Sequence, residues 1–377
     1  MKMFGMSFRD RLRHVDPILF ICTAVLSLIS ILTIYGAVEN FGKSKLVMQI
    51  AMTVVGAIAL FIVANIDYRF FVDRFAIVMF LASVFLLAIT LLFGSTGENM
   101  ETANRSWINI PIVNIAIQPS EFVKIAFLCT FSKHIEIVGD KINRPKYLLG
   151  LMLHAAVIVL LILLSGDLGV ALVYFGIILV MLFCAGLSGW YFAGAFAALI
   201  VSLPLLWNFL RVDQQNRIIF GFQPELDPNG VGMQALMSRD AIANGGAFGR
   251  GLGAHGIYED LPASHTDFIF STVCEMFGFF GGLVVVITLV VMAVRLIVIA
   301  RRSRDFVGRL ICSGIAAVVI FQTAENLWMC LGLVPVIGIT LPFMSAGGSS
   351  VFAMYFLMGL AHSVYGHEKR FFFKREK

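Results

Sequence analysis

Long runs of hydrophobic residues, separated by short polar segments, make up most of this chain. A membrane-spanning helix needs roughly 20 predominantly apolar residues, and by this measure the pattern predicts about ten spans. Their predicted ranges are 18–37, 46–66, 75–94, 120–138, 147–166, 167–186, 191–210, 268–294, 309–333 and 346–365. The sequence therefore predicts an all-α polytopic membrane protein in which residues 1–377 form a single transmembrane domain.

One long polar segment, at about residues 211–266, interrupts this pattern just before the hydrophobic run that begins with residue 268. Asp267 is predicted to lie where the polar segment meets that span, with His265 and Thr266 directly before it. An ionisable group at the edge of the hydrocarbon costs free energy unless it is solvated or paired. Asp267 is therefore predicted to belong to a functional site.

Composition supports the membrane assignment. Hydrophobic residues make up 59% of the chain and charged residues 14%, whereas a soluble domain usually carries about 25% charged residues. The six cysteines form no CxxC pair, and the seven histidines show no HExxH spacing. We interpret the cysteines as small apolar residues, and the sequence predicts no metal-binding motif.

The distribution of basic residues predicts the orientation in the membrane. Most Lys and Arg residues fall on one side if the N-terminus is cytoplasmic, including Arg301, Arg302 and Arg304 in one loop and several in the tail 369–377. Cytoplasmic loops of membrane proteins carry such an excess. Both termini are therefore predicted to be cytoplasmic, and the segment 211–266 to be one long extracytoplasmic loop.

The fourth predicted span opens with polar residues. Gln118 precedes Pro119, and Glu121 and Lys124 are three positions apart, which places them on one face of a helix. Two alternatives fit: a structural ion pair that neutralises two charges, or the polar wall of a water-filled cavity. Both require this face to point into the bundle.

Further polar residues occur at or within spans. Asp167 stands where it could cap the N-terminus of a helix. Glu275 follows Asp267 by about two helical turns, which places both on roughly one face. Glu325 and Asn326 lie inside the ninth span, where hydrogen bonding within the bundle is the expected role.

Two glycine-rich segments flank these residues. The first is 244–253, and its Gly251 and Gly253 fit a GxGxxG spacing together with Gly256. This spacing has no strand before it and no Rossmann helix after it, so a dinucleotide site is not indicated. Its backbone amides, with Arg250, could contact a pyrophosphate, or the glycines could serve loop packing. The segment 335–350 is predicted to be buried or to line a cavity, where Ser345, Ser349 and the amides of Gly347 and Gly348 could take a polar headgroup.

Taken in chain order, these motifs resemble those of the SEDS family (RodA, FtsW and SpoVE), the membrane peptidoglycan glycosyltransferases, and among its members RodA most. The resemblance covers nearly the whole chain. The matching segments are 104–108, 118–124, 167–169, Gln234 with 245–253, 261–270, and Asn326 with 335–350.

The resemblance implies polymerisation of lipid II into glycan strands for cell elongation and shape, at the outer face of a bacterial cytoplasmic membrane, with release of undecaprenyl pyrophosphate. Asp267 is then the general base. The implied partners are lipid II, the nascent glycan strand, a class B penicillin-binding protein and membrane lipids; a nucleic acid is not expected. A divalent cation, Mg²⁺ or Mn²⁺, that bridges pyrophosphate and carboxylate is left open, because the sequence specifies none.

Residues from the matching segments and from the polar positions above are predicted to contact the substrate. They are Arg105, Trp107, Gln118, Glu121, Lys124, Gln234, Arg250, Glu259, His265, Thr266, Asn326, Ser345, Gly347, Gly348 and Ser349.

The sequence is also compatible with two other functions. In a lipid II flippase or other transporter, Glu121, Lys124, Glu275 and Glu325 would line a translocation path, but the paired, interrupted helices of two related halves are missing from the sequence. In a catalytically silent scaffold for wall synthesis, the intact His-Thr-Asp motif at 265–267 would have no use.

Overall fold

The computed structural model describes residues 15–95, 105–110, 115–209 and 212–375; Asn104, Arg211 and the first fourteen residues lie outside this part. A helix lies at each predicted span. The helices at those positions are α1 Pro17–Gly36, α2 Lys43–Asn65, α3 Tyr68–Phe93, α4 Pro119–Val138, α5 Pro145–Leu164, α6 Leu168–Cys184, α7 Gly189–Phe209, α10 Ile269–Arg302, α11 Phe306–Cys330 and α12 Gly348–Arg375, with α8 Val212–Phe222 and α9 Met233–Asn244 in the long loop.

Six of these helices are both long and apolar enough to cross a membrane, namely α1, α2, α3, α5, α10 and α11. This confirms the prediction of an all-α polytopic membrane protein. The number of spans and the cytoplasmic position of both termini stay predictions. Of these six helices, α11 has the most deeply buried side chains and α3 the least, so α11 lies at the centre of the bundle.

Aspartate and proline set where several helices begin. An aspartate side chain accepts a hydrogen bond from a backbone N–H in the first turn of α1, α3, α6 and α11, as N-capping residues do. These capping residues are Asp16, Asp67, Asp167 and Asp305. Proline stands in the first turn of α1, α4 and α5, where its missing N–H costs nothing.

Helix α3 begins at Tyr68, seven residues before the predicted start, because charged side chains in its first turns are paired. Arg69 Nη1 donates to Glu136 Oε1 over 2.7 Å, and Arg69 Nη2 forms an ion pair with Asp305. Lys133 Nζ lies 2.8 Å from Glu136 Oε2. This network joins α3, α4 and the α10–α11 connection at the end of the bundle opposite Asp267.

Helix α10 differs from the predicted span 268–294 in two respects. Helix α10 continues to Arg302, and it is kinked at Gly278, where φ is 71° and ψ is −168°. A Cβ at Gly278 would lie 2.3 Å from the N atom of Gly249 and 2.4 Å from the carbonyl oxygen of Ala247, so this close approach requires glycine. The first segment, 269–277, is mostly buried in protein, and therefore Asp267 does not border a lipid-facing helix.

The described part of the long loop is folded. It contains α8 and α9 and two short 3₁₀ turns, Pro224–Leu226 and Ile257–Glu259. Helix α9 packs on the bundle through Ser238, whose hydroxyl donates to the carbonyl of Cys330 over 2.8 Å and lies 2.6 Å from Ser271 Oγ. The loop therefore forms a cap over the start of α10 and the end of α11.

A small hairpin between α3 and α4 was not predicted. Strands β1 Ile108–Ile110 and β2 Ile115–Ile117 pair antiparallel, with Ile108 opposite Ile117. An isolated bridge between Ser95 and Trp107 extends it towards α3. Three-residue strands are too short to stand out from the neighbouring apolar runs, so the hydrophobic pattern does not reveal them.

Candidate active site

The backbone of residues 265–267 is held by three donors from the C-terminal part of the chain. The Ala346 N–H, the Ser345 hydroxyl and the Asn326 side-chain amide donate to the carbonyls of residues 265, 266 and 267, in that order. The distances are 2.9, 2.7 and 2.6 Å. We call Asn326, Ser345 and Ala346 the carbonyl clamp.

Two clamp residues are themselves fixed by the segment 335–350. Asn326 Nδ2 also donates to the carbonyl of Ile339 over 2.7 Å, and Ser345 Oγ accepts from the N–H of Leu341 over 2.8 Å. Both side chains are buried. A buried amide or hydroxyl with satisfied partners holds its neighbours in one arrangement, so the clamp gives Asp267 a fixed backbone.

The carboxylate of Asp267 is half-buried and lies against the backbone of Gly338. A Cβ at Gly338 would be 3.2 Å from Asp267 Oδ2, and φ there is +66°, so the position favours glycine on both grounds. Burial, with a further contribution from the negative charge of Asp167, raises the pKa of Asp267 to about 7. A carboxylate with such a pKa can accept a proton at neutral pH.

Asp167 is fixed at the N-terminus of α6. Its Oδ1 accepts from the N–H of Val170 over 3.1 Å, which confirms the predicted cap, and its Oδ2 accepts from Gln118 Nε2 over 2.8 Å. Burial raises the pKa of Asp167 as well. The backbone N–H of Gln118 donates to Ser349 Oγ over 3.2 Å. Ser349 therefore helps to hold Gln118, and Gln118 holds the Asp167 carboxylate.

Glu121 and Lys124 form an ion pair deeper in the bundle. Lys124 Nζ lies 2.9 Å from Glu121 Oε1, and the two side chains are 0% and 1% exposed, respectively. The predicted inward face is therefore confirmed. The second carboxylate oxygen of Glu121 and one oxygen of Glu325 are buried without a protein partner, which also fits the alternative of a hydrated polar wall.

Glu275 organises the outer loop above the site. Its carboxylate, 1% exposed, accepts from Asn244 Nδ2 over 2.6 Å and from the N–H groups of Ile257 and Tyr258, each over 2.9 Å. A Cβ at Gly249 would lie 2.2 Å from the carbonyl oxygen of Met276. At least this glycine therefore serves close packing of the loop on α10.

Other predicted site residues lie around this core. Arg250 is exposed, and its guanidinium donates to Asn244 Oδ1 over 3.0 Å. Glu259 Oε1 lies 2.9 Å from His255 Nδ1. Arg105 is exposed, next to the half-buried Trp107. Within the described ranges, no hydrogen bond or ion pair links Arg105, Arg250 or Glu259 to the Asp267 carboxylate.

The remaining predicted residues flank the clamp or the loop. The ring of His265 packs on that of Phe41, with centroids 5.2 Å apart, and the hydroxyl of Thr266 donates to the carbonyl of Ala263. Gly347 donates its N–H to the Ser345 carbonyl, and Gly348 begins α12. Gln234 is half-buried on α9. Contact of these residues with substrate stays a prediction.

Sequence reasoning missed two parts of the site. Gly338 was part of a predicted motif, but its contact with the Asp267 carboxylate depends on the path of the 335–350 segment. Asp167 was predicted as a cap. The family-like segment Asp-Leu-Gly at 167–169 was the signal that it also belongs to the site. In the described part of the chain, no three or more His, Cys, Asp or Glu side chains converge to hold a metal ion.

These features define a class: a polytopic helical membrane protein with a clamped, half-buried carboxylate beneath a long folded loop. The model of the family described as "Cell cycle protein" (FtsW/RodA/SpoVE) matches residues 13–370. The chain belongs to this family.

Curated relatives align over nearly the full length of the chain. A probable peptidoglycan glycosyltransferase FtsW of Trichlorobacter lovleyi is 32% identical and aligns over 93% of both chains. The peptidoglycan glycosyltransferase MrdB of Escherichia coli is 29% identical and aligns over 96% of both chains.

Solved structures share the fold. One, described as the structural coordination of polymerization and crosslinking by a peptidoglycan synthase complex, has a TM-score of 0.81 and 27% identity, over 94% of this chain and 98% of that one. The rod shape determining protein RodA of Thermus thermophilus has a TM-score of 0.68 and 26% identity, over 93% and 96%. The family thus includes both FtsW-like and RodA-like relatives of this chain.

The Glu121–Lys124 pair gives a test of the bundle interior. Lys124→Ala strands a buried carboxylate, which typically costs about 3–5 kcal/mol, whereas the double variant Glu121→Ala/Lys124→Ala leaves no charge behind. We expect the single variant to have the lower melting temperature in detergent. Lys133→Ala is the matched control, because Lys133 pairs with Glu136 at the same spacing on the same helix but is partly exposed. With Glu121→Ala as the second single variant, these proteins form a double-mutant cycle. Additive losses in the cycle would show that the two residues act separately.

Proposed function

We propose that this chain polymerises lipid II at the outer face of the bacterial cytoplasmic membrane, with Asp267 as general base. Its enzyme class is peptidoglycan glycosyltransferase, the activity named for both curated relatives. The observation that supports the mechanism is the half-buried carboxylate of Asp267. Burial is the main cause that raises its pKa to about 7. A general base works best when its pKa lies near the working pH.

In the proposed reaction, the acceptor sugar's 4-hydroxyl oxygen attacks the anomeric carbon of the donor. The hydroxyl proton passes to Asp267, the new glycosidic bond forms, and the bond from the anomeric carbon to pyrophosphate breaks. The electron pair of the broken bond leaves with undecaprenyl pyrophosphate. Such base catalysis is usually worth ~10²–10⁴ in rate. Asp267 then returns its proton to water and is ready for the next transfer.

The leaving group is an anion and requires nearby positive charge. Arg105 and Arg250 are exposed on the outer side of the site, and arginine can bind phosphate oxygens in a bidentate manner. Lys124 is fully buried and paired with Glu121, which neutralises its charge, so the two exposed arginines are the better candidates. A Mg²⁺ or Mn²⁺ ion would take ligands mainly from pyrophosphate and one or two carboxylates, and no step above depends on it.

Asp267→Asn is the direct test. The amide keeps the size of the side chain but cannot accept the proton, so polymer formation from labelled lipid II by purified protein should fall by at least ~10². Protein abundance in the membrane should stay near wild type, and lipid II should still bind. Near-normal polymer synthesis by this variant would move the base role to Glu259 or His265. Loss of the protein from the membrane would make the carboxylate structural.

The pH dependence of the rate tests the role of Asp167. Asp267 must be ionised to act as a base, so activity should rise with pH through its pKa of about 7. Asp167→Asn removes a neighbouring negative charge, and asparagine still caps a helix. The pKa of Asp267 should therefore fall and the rising limb of the profile move to lower pH. Burial, the larger cause of the raised pKa, remains. Asp67→Asn, which changes a capping aspartate on α3, is the control, and an unmoved limb in Asp167→Asn would refute the coupling.

We also propose a transpeptidase partner, a class B penicillin-binding protein whose single membrane helix packs on this bundle. The structurally similar synthase complex, described as coordinating polymerization and crosslinking, supports such a partner. Affinity purification of the chain from detergent-solubilised membranes of its source should enrich a transpeptidase. An elongation-specific partner would support the resemblance to RodA. Full polymerase activity without any such enrichment would argue against an obligate complex.

A further inference from the structure

The clamp residue Ser345 follows a turn that needs external support. Phe343 adopts a left-handed backbone conformation with φ of +63°, which is unfavourable for a residue with a side chain. Such a conformation persists when the surrounding structure holds it in place. The turn at 343–344 immediately precedes the hydroxyl that binds the Thr266 carbonyl, so whatever fixes this turn also fixes the loop that carries Asp267.

A two-residue hydrogen-bond relay reaches this turn from the N-terminal helices. Ser30 on α1 donates its hydroxyl to the carbonyl of Met344 over 2.6 Å. Gln49 on α2 donates its side-chain amide to Ser30 Oγ over 2.9 Å. Ser30 and Met344 are 0% exposed and Gln49 is 2% exposed. We call Ser30 and Gln49 the relay.

The relay has a chemical direction that makes both residues necessary. The Ser30 hydroxyl has a single proton, which it donates in the hydrogen bond to the Met344 carbonyl. The Ser30 oxygen can then only accept from Gln49. A hydroxyl that donates and accepts at once is held in one rotamer, and hydrogen bonds in such a chain strengthen each other. Gln49 stands in an otherwise apolar stretch of α2, and a buried amide is costly there unless it is hydrogen-bonded.

We propose that Ser30 and Gln49 are positioning residues for Asp267: they hold the 343–344 turn, and through Ser345 they set the backbone of residues 265–267. This inference rests on the proposed function, since it concerns the same base. Neither residue contacts Asp267. Their effect on catalysis passes through α1, the turn and the clamp, so the packing of the first two helices determines where the base stands.

The experiment measures lipid II polymerisation by purified Ser30→Ala, Gln49→Leu and the double variant. A displaced base loses rate more than binding, and misplacement of about 1 Å costs up to roughly 10²-fold. We expect kcat to fall about 10- to 100-fold in each single variant with KM within about twofold of wild type. The rising limb of the pH profile should also move, because the burial that raises the pKa of Asp267 changes. The double variant should be no slower than the worse single variant, since each change breaks the same relay.

Two further variants separate positioning from loss of folding. Ser30→Thr keeps the hydroxyl and should retain most of the activity. Thr23→Val removes another buried hydroxyl from α1, two turns earlier, whose hydrogen bond goes to Leu19 of its own helix; kcat and the pH profile should be unchanged. All rates are expressed per folded protein, measured by size-exclusion chromatography and thermal unfolding.

The outcomes are distinct for the relay and for the function. Unchanged kcat and pH profile in Ser30→Ala and Gln49→Leu, with Asp267→Asn inactive, would overturn the relay and leave the proposed function standing. Multiplicative losses in the double variant, or equal losses in Thr23→Val, would also overturn it. If Asp267→Asn itself stays active, the proposed function fails whatever the relay variants show.

Discussion

Three hydrogen bonds to consecutive carbonyls, those of residues 265, 266 and 267, join two parts of the chain that are far apart in sequence. One side is the end of the outer loop and the other is the central helix α11 with the non-helical segment after it. Backbone carbonyls in such a setting must be paired, because an unpaired buried carbonyl costs about as much as a lost hydrogen bond. The same bonds therefore satisfy the loop backbone and fix the residue that carries the Asp267 carboxylate.

The surroundings of the fixed Asp267 carboxylate set its pKa. Asp267 is partly withdrawn from water and stands within the field of Asp167, and together these effects favour the protonated form and raise its pKa to about 7. An exposed aspartate, with a pKa of about 3.9, would be a much weaker base. The capping bond of Val170 and the amide of Gln118 keep Asp167 in place. Structural elements of the bundle thus help to set the pKa of the Asp267 carboxylate.

The structure also separates two kinds of charged residue in the membrane. Arg69, Glu136 and Asp305 form a partly exposed network at one end of the bundle. Glu121 and Lys124 form a fully buried pair towards the other end, below Asp167. The network can be solvated from its surface, whereas the buried pair depends on each partner to neutralise the other. Arg105 and Arg250, by contrast, are exposed.

Hydrophobic periodicity was sufficient to predict the all-α membrane class and the approximate position of every long helix, because a span needs a long apolar run. A charge at the edge of such a run was sufficient to select the candidate base, because an ionisable group is costly there. The sequence also placed the cap at Asp167 and the inward face of Glu121 and Lys124. Other features depend on the packing of distant segments: the kink at Gly278, the pairing of β1 with β2, the contact of Gly338 with Asp267, and the internal bonds of Asn326, Ser345 and Gln118. Hydrophobic periodicity is a local property, whereas these contacts depend on how distant segments pack. A polar residue near a site looks the same in sequence whether it binds substrate or supports the residue that does.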